Sequence, residues 1–304
     1  MHFNNKNKSL DCLNTKIWPS PAKINLFLSV TGIRKDGYHF IQTLFQFLNY
    51  GDYLIFNTTS DKKIKLINKI HGIRNENNLI IRAAKSLKDF MWKNKNHDTP
   101  GVKIFIKKYI PIGGGLGGGS SNAATTLIAL NEHWKCKLSL NTLADLGLQI
   151  GIDIPVFIYG KSAFAEGIGE KLSLFQPKEK FYLIVIPPIK ISTKLIFNKF
   201  ILNKKSYLKS CNQYLKKPLK NDFEPMIRKN FIIIDNLINY LSKFSNFRLT
   251  GTGSCIFSEF DSECKAKEIL YKLPNKIKGF VSKGTNISYL KEILKIRSNF
   301  NVLS

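Results

Sequence analysis

Six glycines in seven positions, with a proline ahead of them and two serines behind, limit what this chain can fold into more than any other feature it carries. The segment reads Pro111-Ile112-Gly113-Gly114-Gly115-Leu116-Gly117-Gly118-Gly119-Ser120-Ser121-Asn122-Ala123-Ala124. Ordering so many glycines loses much backbone entropy, so packing alone is a poor reason for them. Without Cβ atoms, consecutive N–H groups can converge on an anion, and a helix directly behind adds its dipole. The spacing predicts that helix: Ser120 and Ser121 are N-cap candidates, and Leu127, Leu130 and Trp134 recur at i, i+3 and i+7. A flexible linker would share the glycines but would not run from a strand into a capped amphipathic helix. No Lys follows the last glycine as in a Walker A sequence, and the spacing is not that of a dinucleotide fingerprint, so this is a phosphate loop of a different kind.

The rest of the chain supplies a scaffold for such a loop. Its 304 residues correspond to two domains at roughly 150 residues each. In residues 23–30 the apolar Ile24, Leu26, Leu28 and Val30 alternate, the pattern of a half-buried strand, which places Lys23 and Asn25 together on its other face. Further strands are expected at 40–48, 53–58 and 102–106, and helices at 78–90 and 139–150; Pro155 bars helix from running on through the segment behind it. Beyond about Gly169 the pattern restarts, with strands at 181–186, after Gly253 and at 279–283, and helices at 231–241 and 262–271. The expected organisation is a mobile extension over 1–16, a first domain over 17–170 and a second over 171–304, in the α+β class.

Charge could suggest a polyanion partner. Lys and Arg number 47 against 21 Asp and Glu, a net +26. Only six are Arg (Arg34, Arg74, Arg82, Arg228, Arg248, Arg297), although base readout favours the bidentate guanidinium fork, and the lysines are scattered. Lys, Asn and Ile are all abundant and all have A/T-rich codons, so no nucleic-acid partner is expected; a nucleic-acid-binding module stands as the competing class. Cys12, Cys136, Cys211, Cys255 and Cys264 form no CxxC pair and leave an odd thiol, which fits a reducing compartment and neither a disulfide framework nor a zinc ribbon. No apolar signal core precedes Trp18, and apolar runs such as 181–189 are too short to span a bilayer. A cytoplasmic protein with no membrane association is expected.

With these residues in view, the glycine segment resembles the small-molecule kinase superfamily that includes galactokinase, homoserine kinase, mevalonate kinase and phosphomevalonate kinase, whose pattern is Pro, three residues, Gly-Leu-Gly, then Ser-Ser and Ala. Two additional glycines between Gly117 and Ser120 are similar to the branch that phosphorylates a cytidylylated sugar alcohol, 4-diphosphocytidyl-2-C-methyl-D-erythritol. Residues 21–28 (Pro-Ala-Lys-Ile-Asn-Leu-Phe-Leu), then Asp36-Gly37-Tyr38-His39 and Gln42-Thr43, resemble that branch's N-terminal signature, and Leu249-Thr250-Gly251-Thr252-Gly253-Ser254-Cys255 its third glycine motif. Gly151-Ile152-Asp153-Ile154-Pro155 and Ala165-Glu166-Gly167 extend the resemblance over about residues 18–290. It departs at the N-terminal extension, which the family pattern does not need. The fold implied is a two-domain kinase with an N-terminal part like ribosomal protein S5 domain 2 and a ferredoxin-like C-terminal part.

A hydroxyl nucleophile needs a proton acceptor, and a transferring phosphoryl group needs positive charge and alignment. Asp153, between Ile152 and Ile154, is the candidate general base, with helix capping as the alternative use of such an Asp. Lys23 could be a surface charge on its strand; the resemblance implies instead that it pairs with Asp153 at the acceptor hydroxyl. Asn25, on the Lys23 face, would bind the methylerythritol portion. The resemblance places Tyr38 and His39 at the cytosine, with Phe197 a candidate for the opposite face of the base or a core residue. It implies ATP as co-substrate wrapped by the loop from Pro111 to Ser121, Lys108 and Asn78 near the nucleoside, and Ser120 and Ser121 near Mg²⁺ or phosphate oxygens. Lys108 could equally be a solvated strand end. The segment around Gly251 and Gly253 would close over the loop, or form a tight turn between helix and strand, and the two uses are compatible. No cluster suggests a dedicated metal site, so Mg²⁺ is expected to arrive with ATP. A small-molecule substrate and a monomer or weak homodimer complete these expectations.

Overall fold

The computed structural model describes residues 17–303 apart from 69, 71, 201–207 and 217; the extension expected over 1–16 lies outside the described residues. Strand β1 (Ile17–Ile33) pairs antiparallel with β2 (His39–Thr59). The two strands expected at 40–48 and 53–58 are thus one, 21 residues long. Gly51 looks like a break but allows continuity: an ideal Cβ there would sit 2.4 Å from the Ser20 carbonyl oxygen, so β1 and β2 close on each other only because that atom is missing. β1 also differs from its expected half-burial. Lys23 and Asn25 are each 3% exposed, because both faces of the strand are covered, and β-bulges between Pro21 and Lys23 and between Asn25 and Leu28 re-aim its side chains.

β2 is the hub of the sheet. Besides β1 it pairs antiparallel with β4 (Gly101–Lys107) and β5 (Ala163–Glu166); β3 (Ile64–Leu66) lies parallel to β4, and β6 (Lys171–Leu174) flanks β5. Helices α1 (Leu79–Lys95), α2 (Gly118–His133), α3 (Leu140–Leu148) and α4 (Ile154–Tyr159) build a core with Trp18, Phe45, Phe47 and Phe56. Each fully buried aromatic contributes roughly 1.5–3 kcal/mol by leaving water. The later strands form the other end of the same sheet: β7 (Phe181–Ile186) pairs with β9 (Ile256–Phe260) and β10 (Lys278–Thr285), and β8 (Arg248–Leu249) with β9. Around them lie α5 (Thr193–Lys199), α6 (Cys211–Leu215), α7 (Glu224–Asn230), α8 (Ile232–Leu241) and α9 (Glu263–Tyr271). The last helix, α10 (Tyr289–Leu303), returns to the first half, with the Arg297 guanidinium 4.1 Å from the Trp18 ring. No helix among the described residues is long and apolar enough to cross a membrane.

The halves meet in two ways. β10 joins β2 at Gly284 opposite Leu48 and Thr285 opposite Phe47, and a separate apolar cluster mixes Ala22, Ile24, Phe27 and Leu44 with Tyr182, Ile184 and Phe257. The second half also grips β1 directly. Leu28 N–H donates to the Lys220 carbonyl (3.0 Å), Asp222 N–H to the Leu28 carbonyl (2.9 Å), Val30 N–H to Asp222 Oδ2 (2.8 Å), and Arg248 Nε to the Leu26 carbonyl (3.1 Å).

Candidate active site

The glycine loop is a shaped cradle. Gly115 has φ +75°, and its ideal Cβ would lie 2.1 Å from the Thr250 carbonyl oxygen; Gly117 has φ +70°, with an ideal Cβ 2.7 Å from Phe157 Cζ and 3.0 Å from Lys23 Cε. No residue with a side chain satisfies both the conformation and the contact. Backbone bonds lock the loop to the third glycine motif, as expected: Ser254 N–H donates to the Gly113 carbonyl and Cys255 N–H to that of Gly114, each at 3.2 Å. Lys23 N–H donates to the Leu116 carbonyl (3.1 Å). Burial pushes the Cys255 thiol up to about 12, so beneath the loop it is a protonated packing group.

α2 begins earlier than the serines predicted. Its N-cap is Gly117, with no side-chain capping bond, so Ser120 and Ser121 lie inside the first turn. The helical ladder starts with Ser121 N–H bonded to the Gly117 carbonyl (2.8 Å), which leaves the N–H groups of Gly118, Gly119 and Ser120 without intrahelical acceptors. An uncapped start at the end of a glycine cradle fits a phosphate better than a serine cap would. Ser121 turns inward, fully buried, its Oγ accepting from Ser20 Oγ at 2.9 Å. Ser120, Pro111 and Ile112 remain partly exposed.

Lys23, Asn25 and Asp153 converge. The Lys23 ammonium donates to Asn25 Oδ1 (2.6 Å) and lies 3.3 Å from Asp153 Oδ2; its side chain is 4% exposed, that of Asp153 33%. Asp153 occupies the N-cap position of α4 but makes no capping bond, so the capping use is not the one this carboxylate serves. A buried ammonium needs such partners. Asn25 is held in turn by Thr43 Oγ1, which accepts from its Nδ2 (2.9 Å), and by Thr250 Oγ1, which accepts from its backbone N–H (3.0 Å). Thr250 Oγ1 also reaches the Gly115 carbonyl (3.3 Å), so one hydroxyl links the strand bearing Lys23 to the glycine loop.

Tyr38 and His39, expected to act together, point opposite ways, as consecutive residues entering a strand do. Tyr38 is 52% exposed, near the Arg34 guanidinium. His39 is buried with its ring 5.2 Å from that of Phe197 and 5.9 Å from that of Phe200. Burial lowers its pKa, opposed by the nearby Phe200 backbone, so the ring is neutral at neutral pH. Neither ring nitrogen has a well-formed hydrogen bond among the described residues. Phe197 packs on both His39 and Phe223, with Phe223 4.9 Å away, the contacts expected of a core residue.

Lys108 is no solvated strand end. Its Nζ donates to Asp52 Oδ2 at 2.5 Å and lies 3.0 Å from an ideal Cβ on Gly118, beside the start of α2. Asn78 caps α1, its Oδ1 accepting from Ile80 N–H (3.0 Å), and the adjacent Leu79 lies 3.4 Å from an ideal Cβ on Gly119. Asp52, Asn122, Ser20, Thr43 and Thr250 join these networks without having been expected to. Converging donors mark the site. A depression of about 540 Å³ lined by Met91, Lys95, His97, Cys136 and Ser139 shares none of its residues. Among the described residues no three His, Cys, Asp or Glu side chains converge on a metal position.

N–H donors without intrahelical acceptors in a glycine cradle, beside a lysine-paired carboxylate, suit an enzyme that holds a polyphosphate: a small-molecule phosphotransferase. Residues 78–161 match the GHMP kinases N terminal domain and residues 205–279 the GHMP kinases C terminal domain, together more than half of the chain. The chain belongs to the GHMP kinase family and has its two-domain α+β fold. It is similar to the crystal structure of a 4-(cytidine 5'-diphospho)-2C-methyl-D-erythritol kinase, at 26% identity with 88% of this chain and 98% of that one covered and a TM-score of 0.76. It also shares its fold with Methanococcus jannaschii mevalonate kinase (21% identity, 89% and 98% covered, TM-score 0.63) and with homoserine kinase from Cytophaga hutchinsonii (15%, 95% and 98%, TM-score 0.64). GHMP kinases use ATP as co-substrate, generally with Mg²⁺. The uncapped α2 start and the side-chain-free cradle suit a nucleotide's phosphates.

Proposed function

We propose that this kinase transfers the γ-phosphoryl group of ATP to the 2-hydroxyl of 4-diphosphocytidyl-2-C-methyl-D-erythritol, a step of the non-mevalonate route to isopentenyl diphosphate. What supports the acceptor assignment is the Asp36-Gly37-Tyr38-His39 motif: a neutral His39 ring, 5.2 Å from that of Phe197, has one donor and one acceptor of the kind a cytosine edge pairs with, and side chains around it must move aside to uncover its buried nitrogens. The similarity to a kinase of that acceptor supports it. Tyr38 would contribute only from the rim.

In the reaction the acceptor O–H bond breaks as its oxygen bonds to the γ-phosphorus, the bond from that phosphorus to the bridging oxygen breaks, and ADP leaves. Asp153 takes the proton. Lys23 holds that carboxylate in place and offsets negative charge at the attacking oxygen, and Asn25 orients the polyol. The N–H groups of Gly118, Gly119 and Ser120 and the Lys108 ammonium bind the phosphates. Mg²⁺ bound with ATP would neutralise phosphate charge.

ADP release with Mg²⁺ and ATP is expected with the cytidylylated alcohol and not with mevalonate or homoserine. His39→Leu is expected to raise the KM for that acceptor about tenfold, the worth of one buried hydrogen bond, with the ATP KM unchanged. Turnover of mevalonate or homoserine in place of the cytidylylated alcohol would overturn the acceptor assignment and leave the ATP site standing. Salt-sensitive nucleic-acid binding without any ADP release would favour the competing basic-module reading.

A further inference from the structure

We propose that Asp52 is a positioning residue for nucleotide binding, a buried carboxylate that ties the two ends of the glycine loop together and holds the Lys108 ammonium at the phosphate site. The inference rests on reading that loop as the ATP site. Asp52 lies on β2 opposite Ser20 of β1 and has no exposed surface. All four of its partners are donors: Oδ1 accepts from the backbone N–H of Tyr109 (2.7 Å) and Ile110 (2.8 Å), and Oδ2 from Lys108 Nζ (2.5 Å) and Asn122 Nδ2 (2.9 Å). Tyr109 and Ile110 lead into the loop at Pro111, and Asn122 belongs to the α2 start where the loop ends. Asn122 Nδ2 also reaches Ser20 Oγ (2.8 Å), which donates to Ser121 Oγ, so the network continues beneath the first turn of the helix.

Anchoring of the backbone alone would require only the N–H donors. Lys108 adds a ligand-directed feature. Its side chain is 21% exposed, and its Nζ stands where the N–H groups of α2 emerge. An ammonium has three donors, and Asp52 uses one. A long cation already fixed in place avoids the ordering cost that a free lysine meets on binding. Asparagine is no substitute for Asp52, because its amide nitrogen would face donors on either side.

The test is direct Mg²⁺–ATP binding by calorimetry on the full chain, for wild type, Asp52→Asn, Lys108→Met and the double variant. Each single change is expected to weaken ATP about tenfold, the worth of one charge-assisted hydrogen bond. The double variant is expected to bind no more weakly than Asp52→Asn alone, and the KM for 4-diphosphocytidyl-2-C-methyl-D-erythritol to stay unchanged. An Asp52 with a merely structural role would lower Tm and leave ATP affinity intact; that result, or losses that multiply in the double variant, overturns the proposal. If Asp52→Asn does not fold, Asn122→Ser removes one donor and keeps the carboxylate: weaker ATP supports the proposal, and unchanged ATP affinity in both Asn122→Ser and Lys108→Met overturns it. Wild-type protein that binds no ATP would reject the reading of the loop itself, a separate outcome in which no variant takes part.

Discussion

Asp153→Asn is expected to lower kcat by about a thousandfold, within the usual contribution of general-base catalysis, with ATP affinity at the wild-type level. The amide has the shape of the carboxylate but cannot take the acceptor proton. The substitution touches neither the loop backbone nor Lys108, so the phosphate contacts survive. It also leaves Lys23, with a side chain only 4% exposed, without its counter-charge. That effect is modest, about 1 kcal/mol, because the Asp153 side chain is a third exposed and Asn25 keeps its 2.6 Å bond to the ammonium. Steady-state turnover, calorimetric ATP binding and a melting curve on one preparation separate the three effects. Turnover within tenfold of wild type would remove Asp153 from the role of base.

Gly115→Ala has the largest expected effect on the folded state. The new methyl group meets the Thr250 carbonyl oxygen, 2.1 Å from its ideal position, and the residue must also hold φ +75°. Backbone faces backbone, so no side-chain rotation relieves the clash. Left-handed strain and overpacking together cost about 3 kcal/mol. At roughly 2–4 °C per kcal/mol, Tm falls by about 6–12 °C. ATP binding is lost with it, because the same displacement moves the loop away from the strand around Thr250. Gly72→Ala is the control: Gly72 has φ +82° with nothing among the described residues within 4 Å of its ideal Cβ, so it shows the conformational part alone, about 1 kcal/mol. Equal Tm shifts in the two variants would refute the close-approach argument.

What could be read from the chain depended on how far apart the cooperating residues lie. The shape of the glycine loop was legible because its signal is local, and so was the pairing of Lys23 with Asn25, two residues apart on one strand. The start of α2 was not: serine side chains advertise a cap, but the helix begins at Gly118, where glycine has no side chain to announce anything. Tyr38 and His39 share a motif, yet strand alternation sends one outward and one inward. Asp52 was hidden because Gly51-Asp52 reads as a turn between strands, whereas the chain runs straight through it as β2. Thr250 stands 225 residues from Asn25, and no periodicity reports a contact at that separation.

The grip of the second half on β1 has a consequence for how this enzyme can be divided. Lys220, Asp222, Arg248 and Thr250 all bond the strand that carries Lys23 and Asn25. A fragment ending near residue 170 would keep the entire glycine sequence and still expose the β1 backbone as an unpaired edge, the kind of surface that recruits other chains into aggregates. The strand bearing Lys23 and the glycine loop are therefore completed only when residues of the second half, 220–250, have arrived. On the proposed reading, ATP engaging a loop that both halves hold would stabilise them as one cooperative unit.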